Sequence, residues 1–335
     1  GEDRRGGDRP RLGALGEDDP LHVGAGRLDE AVTEGRRREA GLARRLGVSP
    51  LIVGLTVVAY GTSAPEVIVG VRAGWTGHGD LALGNLIGSN IANLGLILGL
   101  TALIRPTPVQ RPLVRHQVPV LLLSSLGLML MLGDGRISTL EAAALLFLAV
   151  AYSGWMILRV RRDHETDVHL AVTESAAESA GAPGGGSLPR LCALVVVGLM
   201  LLLLGGNFLV HGATRLATSV GMSERLIGLT VVAVGTSIPE LATSAIAAWR
   251  GHTDLAVGNV VGSNIFNTLL CLGLSGLPGT LAAPPGFANP DLMALALISL
   301  LAVLFLRTER TIRRGEGATL MGAYGLYLLW AIGRG

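Results

Sequence analysis

Apolar residues gather into nine long runs: Leu51–Trp75, Leu81–Ile104, Leu113–Leu132, Leu140–Leu158, Leu191–Val210, Leu226–Trp249, Leu255–Leu277, Leu292–Leu306 and Leu320–Ile332. A helix needs about 20 apolar residues to cross a hydrocarbon layer about 30 Å thick, so the runs predict transmembrane helices. Proline- and glycine-bearing turns such as Arg105–Pro112, Gly133–Gly135 and Pro284–Pro290 separate them. The pattern predicts an all-α polytopic membrane protein with nine apparent spans.

Composition sharpens this. Half of the 335 residues are hydrophobic, only 16% are charged, and the mean hydropathy is +0.53; soluble chains carry about 25% charged residues. Of the 52 charged side chains, 20 precede Val48 and 9 more lie between Arg159 and Arg190. All the basic side chains apart from histidine are arginine, the formal net charge is +2, and no basic stripe with interleaved aromatics points to nucleic acid. Cys192 and Cys271 stand singly inside apolar runs, without the spacing of a disulfide framework or a zinc site. They read as small buried residues.

Arginines orient the spans through their bias toward the cytoplasmic side. One set of alternate loops carries Arg105, Arg111, Arg115, Arg159, Arg161, Arg162, Arg250, Arg307, Arg310, Arg313 and Arg314; the other carries only Arg136, Arg215 and Arg225. The first set is therefore expected in the cytoplasm. Residues 159–189, rich in Gly, Ser and Glu, are expected to be a flexible cytoplasmic loop between membrane halves 42–158 and 190–335.

Shifting the chain by 174 positions aligns Gly54–Leu100 with Gly228–Leu274, and 29 of these 47 positions are identical. Five spans separate corresponding points, so the second copy is expected to enter the membrane from the opposite side. Inverted repeats with broken helices build a midplane site that opens alternately to either face, the architecture of secondary transporters. The match extends back to Leu42/Leu216 and stops. An apolar run precedes the second copy, whereas the polar segment 1–41 precedes the first and has no apolar core of a signal peptide. The expectation is that residues 1–41 are non-native or disordered, a mis-assigned start or shifted frame standing where a tenth, leading helix belongs.

Each copy carries a Gly-Thr-Ser-x-Pro-Glu box in mid-span: Gly61, Thr62, Ser63, Pro65, Glu66 and Gly235, Thr236, Ser237, Pro239, Glu240. Proline in a helix frees the carbonyl four residues back, and in hydrocarbon such a carbonyl must face protein or ligand. The adjacent carboxylate costs at least about 2.5 kcal/mol at a helix centre if unpaired. Carboxylates, hydroxyls and carbonyls are hard oxygen ligands that suit calcium or sodium and not zinc or copper. A second box, Gly-Asn-x-x-Gly-Ser-Asn-Ile-x-Asn, places Ser89 and Asn93, and likewise Ser263 and Asn267, four residues apart on one helix face. Gly84, Gly88, Asn85 and Asn90 read rather as packing and structural hydrogen bonding. Gly-His-x-Asp at Gly77–Asp80 and Gly251–Asp254 reads as a turn whose aspartate caps the following helix.

The paired boxes in inverted halves resemble the alpha-repeats of the calcium/cation antiporter superfamily, most closely its prokaryotic sodium/calcium exchangers, from about Leu42 to the C-terminus. The resemblance implies a ten-helix protein of the prokaryotic plasma (inner) membrane in which a sodium gradient drives calcium out. It implies Glu66 and Glu240 as central ligands, the Thr62 and Thr236 carbonyls on calcium, Ala59, Ser63, Ser89 and Ala233, Ser237, Ser263 at two flanking sodium sites, and Asn93 and Asn267 completing the centre. Parts of the family carry Asp where Asn267 stands, notably the potassium-dependent branch, so Asn267 argues against potassium co-transport. It further implies that the leading helices of the two repeats slide as a pair to switch access; of that pair only Leu191–Val210 has a counterpart here.

Calcium and sodium are thus expected as transported ligands, with the lipid bilayer as surroundings and neither a cofactor, a nucleic acid nor an obligatory protein partner. Proton/calcium antiport and a non-transporting remnant lacking its first helix are the alternatives. Enzyme chemistry comes last, since the spans hold no HExxH, no plausible Ser/His pair and no cofactor loop.

Overall fold

A computed structural model describes residues 54–174, 224–283, 288–307 and 311–334, with isolated positions between 197 and 222. The polar segment 1–41 and the body of the run Leu191–Val210 lie outside the described residues. The first half comprises α1 (Ala59–Thr62), α2 (Ala64–Trp75), α3 (Gly79–Ala92), α4 (Leu98–Ile104), α5 (Val118–Met131) and α6 (Thr139–Glu174). The second comprises α7 (Glu224–Ile227), α8 (Ala233–Thr236), α9 (Ile238–Trp249), α10 (Thr253–Phe266), α11 (Leu272–Gly276), α12 (Ala288–Arg307) and α13 (Arg314–Arg334).

Among the described residues five helices are long and apolar enough to cross a membrane: Gly79–Ile104, Leu113–Asp134, Thr139–Leu158, Thr253–Gly276 and Pro290–Arg307. A sixth is obtained when Gly228–Thr236 and Ile238–Trp249, bent by 51°, count as one span. Of the other expected spans, Leu51–Trp75 is divided at Ser63, and Leu320–Ile332 lies within α13. Helix α6 continues to Glu174, so helix occupies the first part of the stretch whose composition suggested a flexible loop. Its mixture of Leu, Ala, Glu and Arg is compatible with continued helix.

Proline explains the breaks. Pro65 and Pro239 occupy the first turns of α2 and α9, where a missing N–H costs nothing. Ser63 (φ −77°, ψ 3°) and Ser237 (φ −83°, ψ 6°), two residues before the prolines, leave helical geometry. Gly77 (φ 79°) and Gly251 (φ 87°) end α2 and α9 in the left-handed conformation. There the His78 N–H donates to the Ala73 carbonyl at 2.9 Å, and the His252 N–H to that of Ala247 at 2.7 Å. This closure starts the next helix earlier than the sequence suggests. The N-cap positions are His78 and His252, without side-chain caps, and Asp80 and Asp254 sit inside the first turn. The expected aspartate caps are therefore corrected. Asp80 Oδ1 accepts from the Leu81 N–H at 2.9 Å and Asp254 Oδ2 accepts from Gln110 Nε2 at 2.8 Å.

Five-residue π-helical segments interrupt the helices at matching places in both copies: Gly54–Val58 and Gly228–Val232, then Asn93–Ile97 and Asn267–Cys271. Wider turns of this kind recur at functional sites because they re-aim side chains within a helix. Short antiparallel ladders tie the ends together: β1 (Thr107–Pro108) pairs with β4 (Thr311–Ile312), and β2 (Arg136–Ile137) with β3 (Leu281–Ala282).

The spans Gly79–Ile104 and Thr253–Gly276 are 78% and 89% buried, against 28–44% for the three flanking ones, so the helices bearing the asparagine boxes form the centre. Glycine lets them meet their partners. A Cβ on Gly88 would lie 2.6 Å from the Leu229 carbonyl oxygen and 2.7 Å from Ala233 Cβ; one on Gly262 would lie 2.9 Å from the Leu55 oxygen and 2.8 Å from Ala59 Cβ. The contacts are reciprocal: α3 crosses Gly228–Thr236, and α10 crosses Gly54–Thr62. Close approach through small residues suits a medium in which dispersion, not water exclusion, holds helices together. Leu126, Leu130, Phe147, Leu297 and Leu300 are exposed on the outer helices.

Candidate functional site

The breaks and crossings deliver one polar cluster into the centre. Glu66, Glu240, Thr62, Asn85, Ser89, Asn93, Asn259, Ser263 and Asn267 have no solvent exposure, and Ser63, Thr236 and Ser237 have at most 2%. Glu66 and Glu240 lie in the first turns of α2 and α9, where aligned backbone dipoles favour negative charge.

The copies exchange partners. Ser63 Oγ donates to Glu240 Oε1 at 3.2 Å, and Ser237 Oγ donates to Glu66 Oε1 at 3.2 Å. Ser263 Oγ also donates to Glu240 Oε1, at 3.4 Å. The threonines follow the same exchange: Thr62 Oγ1 donates to Asn259 Oδ1 at 3.2 Å and Thr236 Oγ1 to Asn85 Oδ1 at 3.1 Å. Ser89 Oγ lies 3.3 Å from both the Ala233 carbonyl and Thr236 Oγ1. The Ala59 carbonyl accepts from Thr62 Oγ1 at 3.4 Å and from the Ser63 N–H at 3.0 Å.

Several atoms remain unpartnered although buried: Glu66 Oε2, Glu240 Oε2, both polar atoms of the Asn93 amide, and Asn267 Nδ2. Among the described residues neither carboxylate is bridged by a basic side chain. Two ionised carboxylates in such surroundings demand compensating positive charge. Carboxylate, hydroxyl, amide and carbonyl oxygens are the donor set that hard cations prefer.

Each expected site residue thus falls in or beside this cluster. Asn93 and Asn267 begin the inner π-helical segments and approach the centre without a hydrogen-bond network like that of the serines. Two neighbours were not expected at the site from the sequence. Ser244 Oγ accepts from Asn259 Nδ2 at 3.0 Å, one turn beyond Glu240, a spacing that could have revealed it. Cys271, one turn beyond Asn267, places Sγ 3.6 Å from Asn267 Oδ1. On one side Tyr60 and Phe266 pack with ring centroids 3.9 Å apart and planes tilted by 37°, and the Tyr60 hydroxyl bonds to Ser153.

The chain has relatives among known proteins. The family model described as sodium/calcium exchanger protein matches residues 39–158 and 190–333. A protein of Alkalimonas amylolytica named as a candidate antiporter, CaxA, is 42% identical over 286 residues, spanning 84% of this chain and 88% of the relative. The sodium/calcium exchanger MaX1 of Methanosarcina acetivorans is 31% identical over 320 residues, spanning 86% and 90%. A solved structure of the sodium-calcium exchanger NCX_Mj superposes with a TM-score of 0.70 at 32% identity, covering 88% of this chain and 90% of that one.

Proposed function

The chain belongs to the sodium/calcium exchanger family, and on that premise we propose that it exchanges sodium for calcium by alternating access at a midplane site built from Glu66 and Glu240. The coarser statement stands on kinship and fold: this is a multi-pass membrane transporter, a cation/calcium antiporter and not an enzyme, with the ions as its substrates. The finer reading is supported above all by the crosswise pairing, in which each glutamate has one oxygen held by a serine of the other copy and one buried without a partner.

The chemistry follows from charge. One calcium ion, or two or more sodium ions, can compensate two carboxylates, whereas leaving both ionised and empty is costly. Competition for shared oxygens makes the ions alternate. Glu66 and Glu240 would bind either ion, the Thr62 and Thr236 carbonyls would bind calcium, and Asn93 and Asn267 would complete the centre. Ala59, Ser63 and Ser89, and Ala233, Ser237 and Ser263, would form two flanking sodium sites. The reciprocal crossings support reading the halves 42–158 and 190–335 as related repeats, and the full reading has them inverted, with nine spans in this chain and the segment 159–189 on the cytoplasmic side of a prokaryotic inner membrane.

The test is radioactive calcium uptake into sodium-loaded proteoliposomes diluted into sodium-free buffer. Uptake that collapses with the sodium gradient is expected. Uptake driven equally by a pH gradient without sodium would assign proton coupling instead, and no uptake under either gradient would refute exchange.

A further inference from the structure

We propose that Cys271 gives the cation site a soft donor, making it a binding site for thiophilic divalent cations of calcium-like size, Cd2+ being the representative. The proposal rests on reading Glu66 and Glu240 as the centre of that site. Cys271 ends the π-helical segment that Asn267 begins, so the two share a helix face. It is fully buried as a free thiol. Its Sγ lies 3.6 Å from Asn267 Oδ1 and 4.0 Å from the Ser63 carbonyl oxygen. Ser63 in turn donates through Oγ to Glu240 Oε1 at 3.2 Å.

The Asn267 side chain that the sulfur touches presents Oδ1 as a ligating atom and keeps Nδ2 buried and unpartnered, and the same polar cluster holds buried oxygens without partners at Glu66 Oε2, Glu240 Oε2 and Asn93 Oδ1. The matching position of the first copy is Ile97, a hydrocarbon, so only one half offers sulfur. Calcium and sodium gain little from a thiol, because hard cations prefer oxygen, whereas soft cations gain a strong bond. Binding is balanced as Cd2+ plus Cys–SH giving a Cd–S bond and one released proton, with the carboxylates supplying the remaining charge.

The experiment titrates Cd2+ into the purified full chain carrying Cys192→Ala and follows the ultraviolet cadmium–thiolate charge-transfer band. A band saturating at one Cd2+ per chain and abolished by excess Ca2+ is expected, as is its loss in both Cys271→Ile and Cys271→Ser on the same background. In proteoliposomes, Cd2+ should inhibit calcium uptake at least about tenfold less potently in Cys271→Ile, each protein being scaled to its own uninhibited uptake. No band in the Cys192→Ala protein, a band that survives Cys271→Ile, or a band indifferent to Ca2+ would each overturn the proposal. Those results alongside normal sodium-driven uptake would leave the exchange reading standing. A Ca2+-sensitive band without sodium- or proton-driven uptake would uphold the thiol site and refute exchange.

Discussion

Glu66 and Glu240 show how one residue type serves two demands. One oxygen of each is satisfied by a serine of the opposite copy, which fixes the carboxylate, and the other is left for a ligand. Glu66→Gln or Glu240→Gln keeps a carbonyl for the serine and removes the charge. Either change is expected to lower sodium-driven calcium uptake by at least about tenfold, or about 1.4 kcal/mol of binding. Thermal unfolding in ion-free detergent should shift upward, because a buried charge without compensation has been removed. Ser63→Ala and Ser237→Ala should each raise the sodium concentration for half-maximal uptake severalfold, and by similar factors, since their bonds to the opposite glutamates have equal lengths. A large inequality in sodium titrations would contradict equivalent flanking sites.

At the scale of elements, the close crossings do the positioning. Gly88 brings α3 onto the turn leading to Ser237, and Gly262 brings α10 onto the turn leading to Ser63, so side-chain bulk at either glycine pushes a serine away from its glutamate. Gly88→Val and Gly262→Val would drive a Cβ against backbone oxygen at under 3 Å. Each should destabilise by about 1–3 kcal/mol or more, as overpacking does. Gly127→Ala, with open space around the added carbon, should leave the melting temperature nearly unchanged. Thermal denaturation of the three variants in detergent distinguishes tight packing from a general intolerance of larger residues.

For the whole molecule, the reciprocal contacts and ladders imply that corresponding turns of the two copies face opposite sides of the membrane if the repeats are inverted. Thr76→Cys and Arg250→Cys sit in such turns, Gly77 and Gly251 being their left-handed neighbours. In a chain freed of its native cysteines, a membrane-impermeant maleimide should label Arg250→Cys only from the cytoplasmic face and Thr76→Cys only from the opposite face. Labelling of both from one side of oriented vesicles would rule out inversion. The two central spans are 78–89% buried against 28–44% for the three outside them.

The runs of apolar residues, the paired boxes and the 174-residue period were legible in the sequence because each is a local pattern repeated along one chain. They determined a helical membrane protein, its family likeness, and an oxygen-rich pair of Glu-bearing boxes. Proline likewise marked the breaks at Ser63 and Ser237, since its missing N–H acts within one turn. Tertiary structure decided what no local pattern encodes. Ser63 meets Glu240 across 177 positions because helices cross at glycine, and nothing in either box states its partner. The helices after Gly77 and Gly251 begin before the aspartates because a glycine-ended helix closes on the histidine N–H, a balance of competing hydrogen bonds that spacing alone misjudged. The π-helical segments that carry Asn93, Asn267 and Cys271 have no sequence signature of their own, and packing of the central helices is what placed a lone thiol against the Ser63 carbonyl of the other copy.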